Sequence, residues 1–197
     1  MIIAHNVYKP FDLINQTVFY DNKCNLIKEI IISYNVDKPS LQSTKNITYA
    51  YHGPNKGWQS GAFNGFLSCC KQAKLLGIKK LIFSHDDVFI DRPKLLEWYY
   101  NQLNSYNFIS RKPLRVNIEK SSEYLMIDCC MLDEKAIDMF SSIDFKEEKD
   151  FFPLNSFSVE FTIGSLVKEL KVLKVPYDSE TYGQNELGFF HHHTERK

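Results

Sequence analysis

Ser84-His85-Asp86-Asp87 sets an imidazole beside two adjacent carboxylates, directly after the apolar run Leu81-Ile82-Phe83. Carboxylates held that close raise each other's pKa. A divalent cation relieves the repulsion, and oxygen ligands suit Mg²⁺ or Mn²⁺. The apolar run reads as a buried strand, and in open α/β sheets ligands bind beyond the carboxyl ends of strands. A solvated turn or a helix cap would use the same two acids. Their place between a buried strand and a second apolar segment, Val88-Phe89-Ile90, is what favours metal chemistry. His85 reads as a third ligand, a hydrogen-bond partner for a substrate, or a bystander.

Three further constellations carry candidate chemistry. The stretch from Gly53 to Gly65 is dense in glycine and contains Lys56. Glycines before and inside a helix start allow close backbone approach, and helix N-termini favour phosphate. The segment has neither a Walker A pattern nor G-x-G-x-x-G, and an ordinary loop with an N-cap would look similar. Glu160 stands in an otherwise apolar helical pattern, either as a general base of raised pKa or as a first-turn acid favoured by the helix dipole. His191-His192-His193 are metal-ligand types or a tag remnant. In an extended segment alternate side chains share a side, so His191 and His193 would face one ion and His192 would face away.

The elements that must position these residues follow from periodicity and turn chemistry. Strands are predicted at Met1–Val7, Ile27–Tyr34, Ile47–Tyr51 and Lys80–Phe83. A helix is predicted over Phe11–Tyr20. A long one spans Trp58–Leu76, with Ala62, Phe66, Cys69, Cys70, Ala73 and Leu76 at helical spacing and Gly77 placed to end it. Pro93–Tyr106 reads as a helix and Glu123–Leu132 as a strand. Asp133 would cap a short helix through Phe140. Phe145–Phe152 suits a mobile loop, Ser158–Leu170 a helix and Val172–Val175 a last strand. This order predicts an α/β fold with a mainly parallel central sheet flanked by helices.

Bulk properties narrow the function classes. The 197 residues carry 24 Lys+Arg against 24 Asp+Glu, which gives no general attraction to nucleic acid or anionic membranes. With 44% hydrophobic residues and no repeat or low-complexity tract, one domain over 1–197 is expected. No apolar run approaches a transmembrane span, and the N-terminus lacks a signal-peptide pattern. Five cysteines, two pairs of them adjacent and none in CxxC spacing, argue against a zinc site or a disulfide framework. Reduced, buried thiols in a cytoplasmic protein are the expectation.

Taken in order, the motifs resemble a GT-A type nucleotide-sugar glycosyltransferase, closest in style to the family 2 enzymes. Asn55-Lys56-Gly57 followed by Asn64-Gly65 matches that family's N-x-G-x-x-x-x-x-N-x-G-type segment, and Gly77 to Val88 resembles its strand and D-x-D or D-D-D motif. The resemblance implies a single GT-A-like (Rossmann-like) domain, with residues 1–90 as the nucleotide-sugar-binding half and 91–197 as the acceptor-side half. It implies that Asp87 binds Mn²⁺ or Mg²⁺ on the donor diphosphate and that Asp86 contacts the ribose or the metal. His85 stands where the first acid usually falls. Asp37 matches the acid that reads the nucleobase, and Asn55, Gly57 and Asn64 line the donor pocket. Glu160 stands in for the catalytic base of the later acidic motif, and His191 or His193 for a late metal ligand. The implied activity is metal-dependent sugar transfer from a nucleotide-sugar donor to a hydroxyl of a carbohydrate or glycoconjugate acceptor. A nucleotidyltransferase or a catalytically inactive nucleotide-sugar-binding domain are the alternatives. The first would be expected to carry a glycine-rich basic loop after the first strand, which His5-Asn6-Val7-Tyr8-Lys9-Pro10 is not.

Overall fold

A computed structural model describes residues 1–7, 21, 24–35, 37–54, 58–86, 88–90, 93–111, 125–145, 159–175 and 189–191. Strands β1 (Ile2–Asn6), β2 (Glu29–Tyr34), β3 (Asn46–Tyr51) and β4 (Lys80–His85) form where apolar and β-branched residues concentrate. The long helix α1 (Trp58–Leu75) lies between β3 and β4. Beyond β4 come β5 (Val88–Ile90), α2 (Pro93–Gln102), β6 (Phe108–Arg111), β7 (Cys129–Asp133), α3 (Glu134–Ser141), α4 (Val159–Leu166), β8 (Val172–Val175) and β9 (Phe189–His191).

Seven strands make one sheet in the order β3-β2-β1-β4-β7-β6-β8. β1 runs parallel to both β2 and β4, and β6 runs parallel to β8. β7 alone is antiparallel to its neighbours β4 and β6. The expected α/β fold with a mainly parallel, helix-flanked sheet is therefore the fold observed. β5 and β9 pair separately as a two-stranded antiparallel sheet.

Both faces of the main sheet are covered, which is why its strands are apolar almost throughout rather than alternating. On one face Ala4, Ile31, Phe83, Phe108 and Leu132 pack against α1, α3 and α4 through Phe63, Phe66, Phe140 and Ile163. On the other, Ile3, Ile30, Ile32, Ile82, Ile109 and Met131 meet Leu96 and Tyr99 of α2. Phe66 joins helix to sheet and helix to helix. Its ring is edge-on to Phe83 at 4.9 Å and to Phe140 at 4.8 Å. Such pairs add about 0.5–1.5 kcal/mol each beyond burial.

Several boundaries differ from the sequence reading for local reasons. α2 stops at Gln102 instead of Tyr106, because Leu103, Asn104 and Ser105 turn back with their backbone N–H groups on Tyr100, Asn101 and Gln102. Of the strand expected over Glu123–Leu132, the described residues 125–128 are not in a strand, and pairing runs over Cys129–Asp133. The short strands β5, β6 and β9 were not anticipated. The helix expected over Phe11–Tyr20 lies outside the described residues, as does the Phe145–Phe152 loop except Phe145, which is buried edge-on to Phe63 at 5.5 Å.

Helix ends follow the expected chemistry. Gly77 ends α1 with φ +66, a left-handed conformation costly for other residues. Asp133 caps α3 by accepting from the Ala136 N–H at 2.9 Å, and its carboxylate also accepts from Asn107 Nδ2 at 2.7 Å. Replacing Asp133 with Ala should lower unfolding free energy by about 1 kcal/mol or more, read as a lower midpoint in urea denaturation at unchanged m-value.

Candidate functional site

β1 is the point where the strand order reverses, with β2 on one side and β4 on the other. In such sheets the crevice beyond the carboxyl ends at the reversal is the ligand site. The ends of β1 to β4 lie along one edge because all four run parallel. That edge carries Asn6, Ser33, His52, His85 and Asp86.

The acidic turn at this edge is fixed by its backbone. His85 is in register with Asn6 across the β1–β4 pair. The His85 N–H donates to the Asp128 carbonyl at 2.8 Å, and the Asp86 N–H donates to the Asn6 carbonyl at 3.3 Å. The buried Ser84 hydroxyl donates to the carbonyls of His85 at 3.0 Å and Val88 at 3.4 Å, spanning the turn. Asp86 is only 4% exposed, which is unusual for a carboxylate in a turn. The His85 ring stands edge-on to Phe83 at 5.6 Å.

Asp87 lies between Asp86 and Val88, outside the described residues. Immediately after it, β5 pairs with β9 so that Val88 is opposite His191. The chain is thus brought back from far along the sequence to the residue that follows the acidic pair. His193 lies outside the described residues. Among those described, no three His, Cys, Asp or Glu side chains form a group that could hold a metal. Asp86, a buried carboxylate in the turn, offers the oxygen-donor type that suits a divalent cation of the Mn²⁺ or Mg²⁺ kind.

The remaining expected residues are distributed as follows. Asp37 is exposed, three positions beyond the end of β2. Asn55 and Gly57 lie outside the described residues. Asn64, in α1, donates its Nδ2 to the His52 carbonyl at 2.7 Å, so it holds the end of β3. Glu160 is the second residue of α4, and α4 packs on α1 and leads into the start of β8.

Sequence reasoning gave the glycines of the Gly53–Gly65 segment the task of admitting a ligand. At Gly65 the close approach is made instead by the protein: the Asn6 carboxamide occupies the space a Cβ would need. Asn6, Ser33, His52 and Asp128 were not singled out from sequence. Their common signal is a polar residue at or just beyond the end of an apolar strand run. The Ser33 hydroxyl bonds His52 Nδ1 at 2.7 Å, and the Val7 N–H donates to the Ser33 carbonyl at 2.9 Å, joining the ends of β1, β2 and β3.

The buried thiols are packing groups. Cys69, Cys70 and Cys130 are fully enclosed, and burial pushes each thiol well up from its ordinary range, away from a nucleophile.

The fold seen around this edge is shared with known proteins. No protein-family model matches the chain, and no curated protein matches it by sequence. Solved structures do match in fold. One is assigned as a nucleotide-diphospho-sugar transferase, from Desulfovibrio desulfuricans G20, with a TM-score of 0.51 and 12% identity over 89% of this chain and 79% of that one. Another is 4-diphosphocytidyl-2C-methyl-D-erythritol synthase from Anaerococcus prevotii DSM 20548, with a TM-score of 0.51 and 12% identity over 89% and 86% of the two chains. A third is an active-site mutant of LgtC, with a TM-score of 0.56 and 10% identity over 89% and 72%. The architecture is therefore the Rossmann-like fold of nucleotide-sugar and nucleotidyl transferases. No helix among the described residues is long and apolar enough to cross a membrane.

Two consequences can be measured. Gly65→Ala should force Asn6 aside and cost about 1–3 kcal/mol of stability, as overpacking does; thermal melts of the variant should show it. Acid should also destabilise the fold through two imidazoles. Burial lowers the pKa of His5 from 6.5 to about 4, and burial does the same to His52. Between these values the unfolded chain binds more protons, so stability is complete above pH 6.5 and falls as pH drops toward 4. The melting temperature should decline over that window, and less steeply in His52→Gln.

Proposed function

We propose that the chain is a metal-dependent glycosyltransferase that moves a sugar from a nucleotide-sugar to a hydroxyl of a carbohydrate or glycoconjugate. The observation that carries this reading is the clamped acidic turn at the β1/β4 reversal, with β9 drawn alongside it. Asp87 would hold a Mn²⁺ or Mg²⁺ ion there, with His191 or His193 as the late ligand, Asp86 against the ribose or the metal and His85 against the donor. A cation so held supplies charge stabilisation to the departing diphosphate. Asp37, Asn55, Gly57 and Asn64 line the donor side, within residues 1–90. Glu160, at the start of α4, takes the proton from the acceptor hydroxyl, and residues 91–197 form the acceptor side. The sharing of fold with a nucleotide-diphospho-sugar transferase and with the glycosyltransferase LgtC supports the substrate class.

Nucleotidyl transfer is the second reading, favoured by a likeness to the diphosphocytidyl-methylerythritol synthase as strong as that to the nucleotide-diphospho-sugar transferase. The absence of a glycine-rich basic loop in His5–Pro10 weighs against it.

Incubation with a panel of nucleotide-sugars and Mn²⁺ separates the readings. Glycosyl transfer or slow donor hydrolysis should release a nucleoside diphosphate, and Asp87→Ala should reduce that release at least about 100-fold. Pyrophosphate release from a nucleoside triphosphate and a sugar phosphate would establish the second reading instead. Binding with no turnover would leave a nucleotide-sugar-binding domain.

A further inference from the structure

Basic and acidic residues balance over the whole chain, yet they are not evenly spread. Lys71-Gln72-Ala73-Lys74-Leu75-Leu76-Gly77-Ile78-Lys79-Lys80 holds four lysines and no acid. It runs from the last turns of α1 into the start of β4, at the end of β4 opposite the acidic turn. Four large hydrophobic side chains are exposed among the described residues, and two of them adjoin here: Leu75 at 80% and Leu76 at 44%.

The backbone fixes this tip. Gly77, at φ +66, turns the chain, its N–H donates to the Lys74 carbonyl at 3.0 Å, and the Ile78 N–H donates to the Ala73 carbonyl at 2.9 Å. These two bonds close a helix through a left-handed residue, and an apolar contact usually accompanies them. The apolar residues of this ending, Ala73 and Ile78, are turned into the core. The ending therefore does not require Leu75 and Leu76 to be apolar, and Leu75 projects from the surface instead of lining a groove.

The lysines surround the two leucines. Lys71 precedes Leu75 by four residues, which places both on one helical face. Lys74 meets Asp138 of α3 at 2.9 Å, and Lys79 meets Glu134 at 3.7 Å, with all four side chains exposed. Exposed pairs of this kind are weak, so both ammonium groups remain available to a denser anionic surface. Lys71 makes no ion pair among the described residues. Lysine stems cover apolar surface while their heads stay in water. Projecting leucines flanked by lysines suit a lipid interface, where apolar groups enter the acyl boundary and ammonium groups meet anionic headgroups.

We propose that the tip between α1 and β4 docks on an anionic lipid surface. Leu75 and Leu76 enter the interface, and Lys71, Lys74 and Lys79 meet the headgroups. A projecting tip fits a deformable lipid surface better than a preformed protein pocket. Docking of this kind does not depend on the sugar-transfer reading. It leaves the acidic turn at the far end of the six-residue β4, up to about 17 Å along the strand from the tip.

The test is flotation of the full chain with vesicles of phosphatidylcholine alone and of phosphatidylcholine mixed with phosphatidylserine. The chain should float with the mixed vesicles and not with phosphatidylcholine alone, and added salt should release it. Lys71→Gln and Lys79→Gln should each weaken partitioning about fivefold. Leu75→Ser combined with Leu76→Ser should weaken it about tenfold or more. All four positions are exposed, so the variants should melt as the wild type does. No flotation with either vesicle, equal flotation with both, or flotation unchanged by all these substitutions overturns the proposal. So does a dimer in sedimentation velocity that the leucine substitutions abolish, seen without vesicle binding, since a second copy would then cover the tip.

Discussion

The pairing of β1 with β4 is the constraint on which the rest depends. It joins two strands distant in sequence through a register that ends on Asn6 and His85. Everything assigned to the site hangs from that terminal pair. Asp86 is tied to the Asn6 carbonyl, His85 is tied to the Asp128 carbonyl ahead of β7, and α1 can seat only where Gly65 makes room for Asn6. A one-residue slip would turn each of these side chains to the opposite face. The apolar residues flanking the pair on both faces make that slip expensive, so the same burial that stabilises the sheet also fixes the aim of the turn.

Backbone amides and carbonyls hold much of this edge, as the His85 N–H on the Asp128 carbonyl and the Asp86 N–H on the Asn6 carbonyl show. The two salt bridges among the described residues, Lys74–Asp138 at 2.9 Å and Lys79–Glu134 at 3.7 Å, join exposed side chains at the far end of α1 and the loop after it to α3. Such pairs contribute little. At the ligand edge, main-chain amides and carbonyls and the Ser84 and Ser33 hydroxyls do the positioning. The cost is a crowd of buried polar atoms, which confines such an arrangement to the end of a sheet, where strands stop and their last carbonyls need partners.

Much of the fold was legible because it rests on local patterns. Ile27–Tyr34 and Ile47–Tyr51 announce strands by β-branched and aromatic content, and the apolar spacing of α1 and its closing Gly77 mark a helix. Asp133 was readable as a cap from its place between apolar runs. β5, β6 and β9 were not legible, since three or four residues carry no period that sets strand apart from loop. Their partners, not their composition, make them strands. The site was half legible. Asp86 and Asp87 stand out because adjacent acids after a buried strand are rare. Asn6, Ser33 and His52 do not, because a single polar residue at a strand end is ordinary. Only the register shows that three such ends adjoin.

The pairing of β5 with β9 has a bearing on how the molecule is made. Val88 and His191 become neighbours only after the intervening chain has been synthesised. The central strands β1 to β4 and helix α1 can assemble as soon as they leave the ribosome, whereas β5 must wait for a partner that lies much further along the chain. A nascent chain would therefore hold a nearly finished sheet with one unpaired strand beside its acidic turn. The strand beside the acidic turn therefore gains its partner later than β1 to β4 gain theirs.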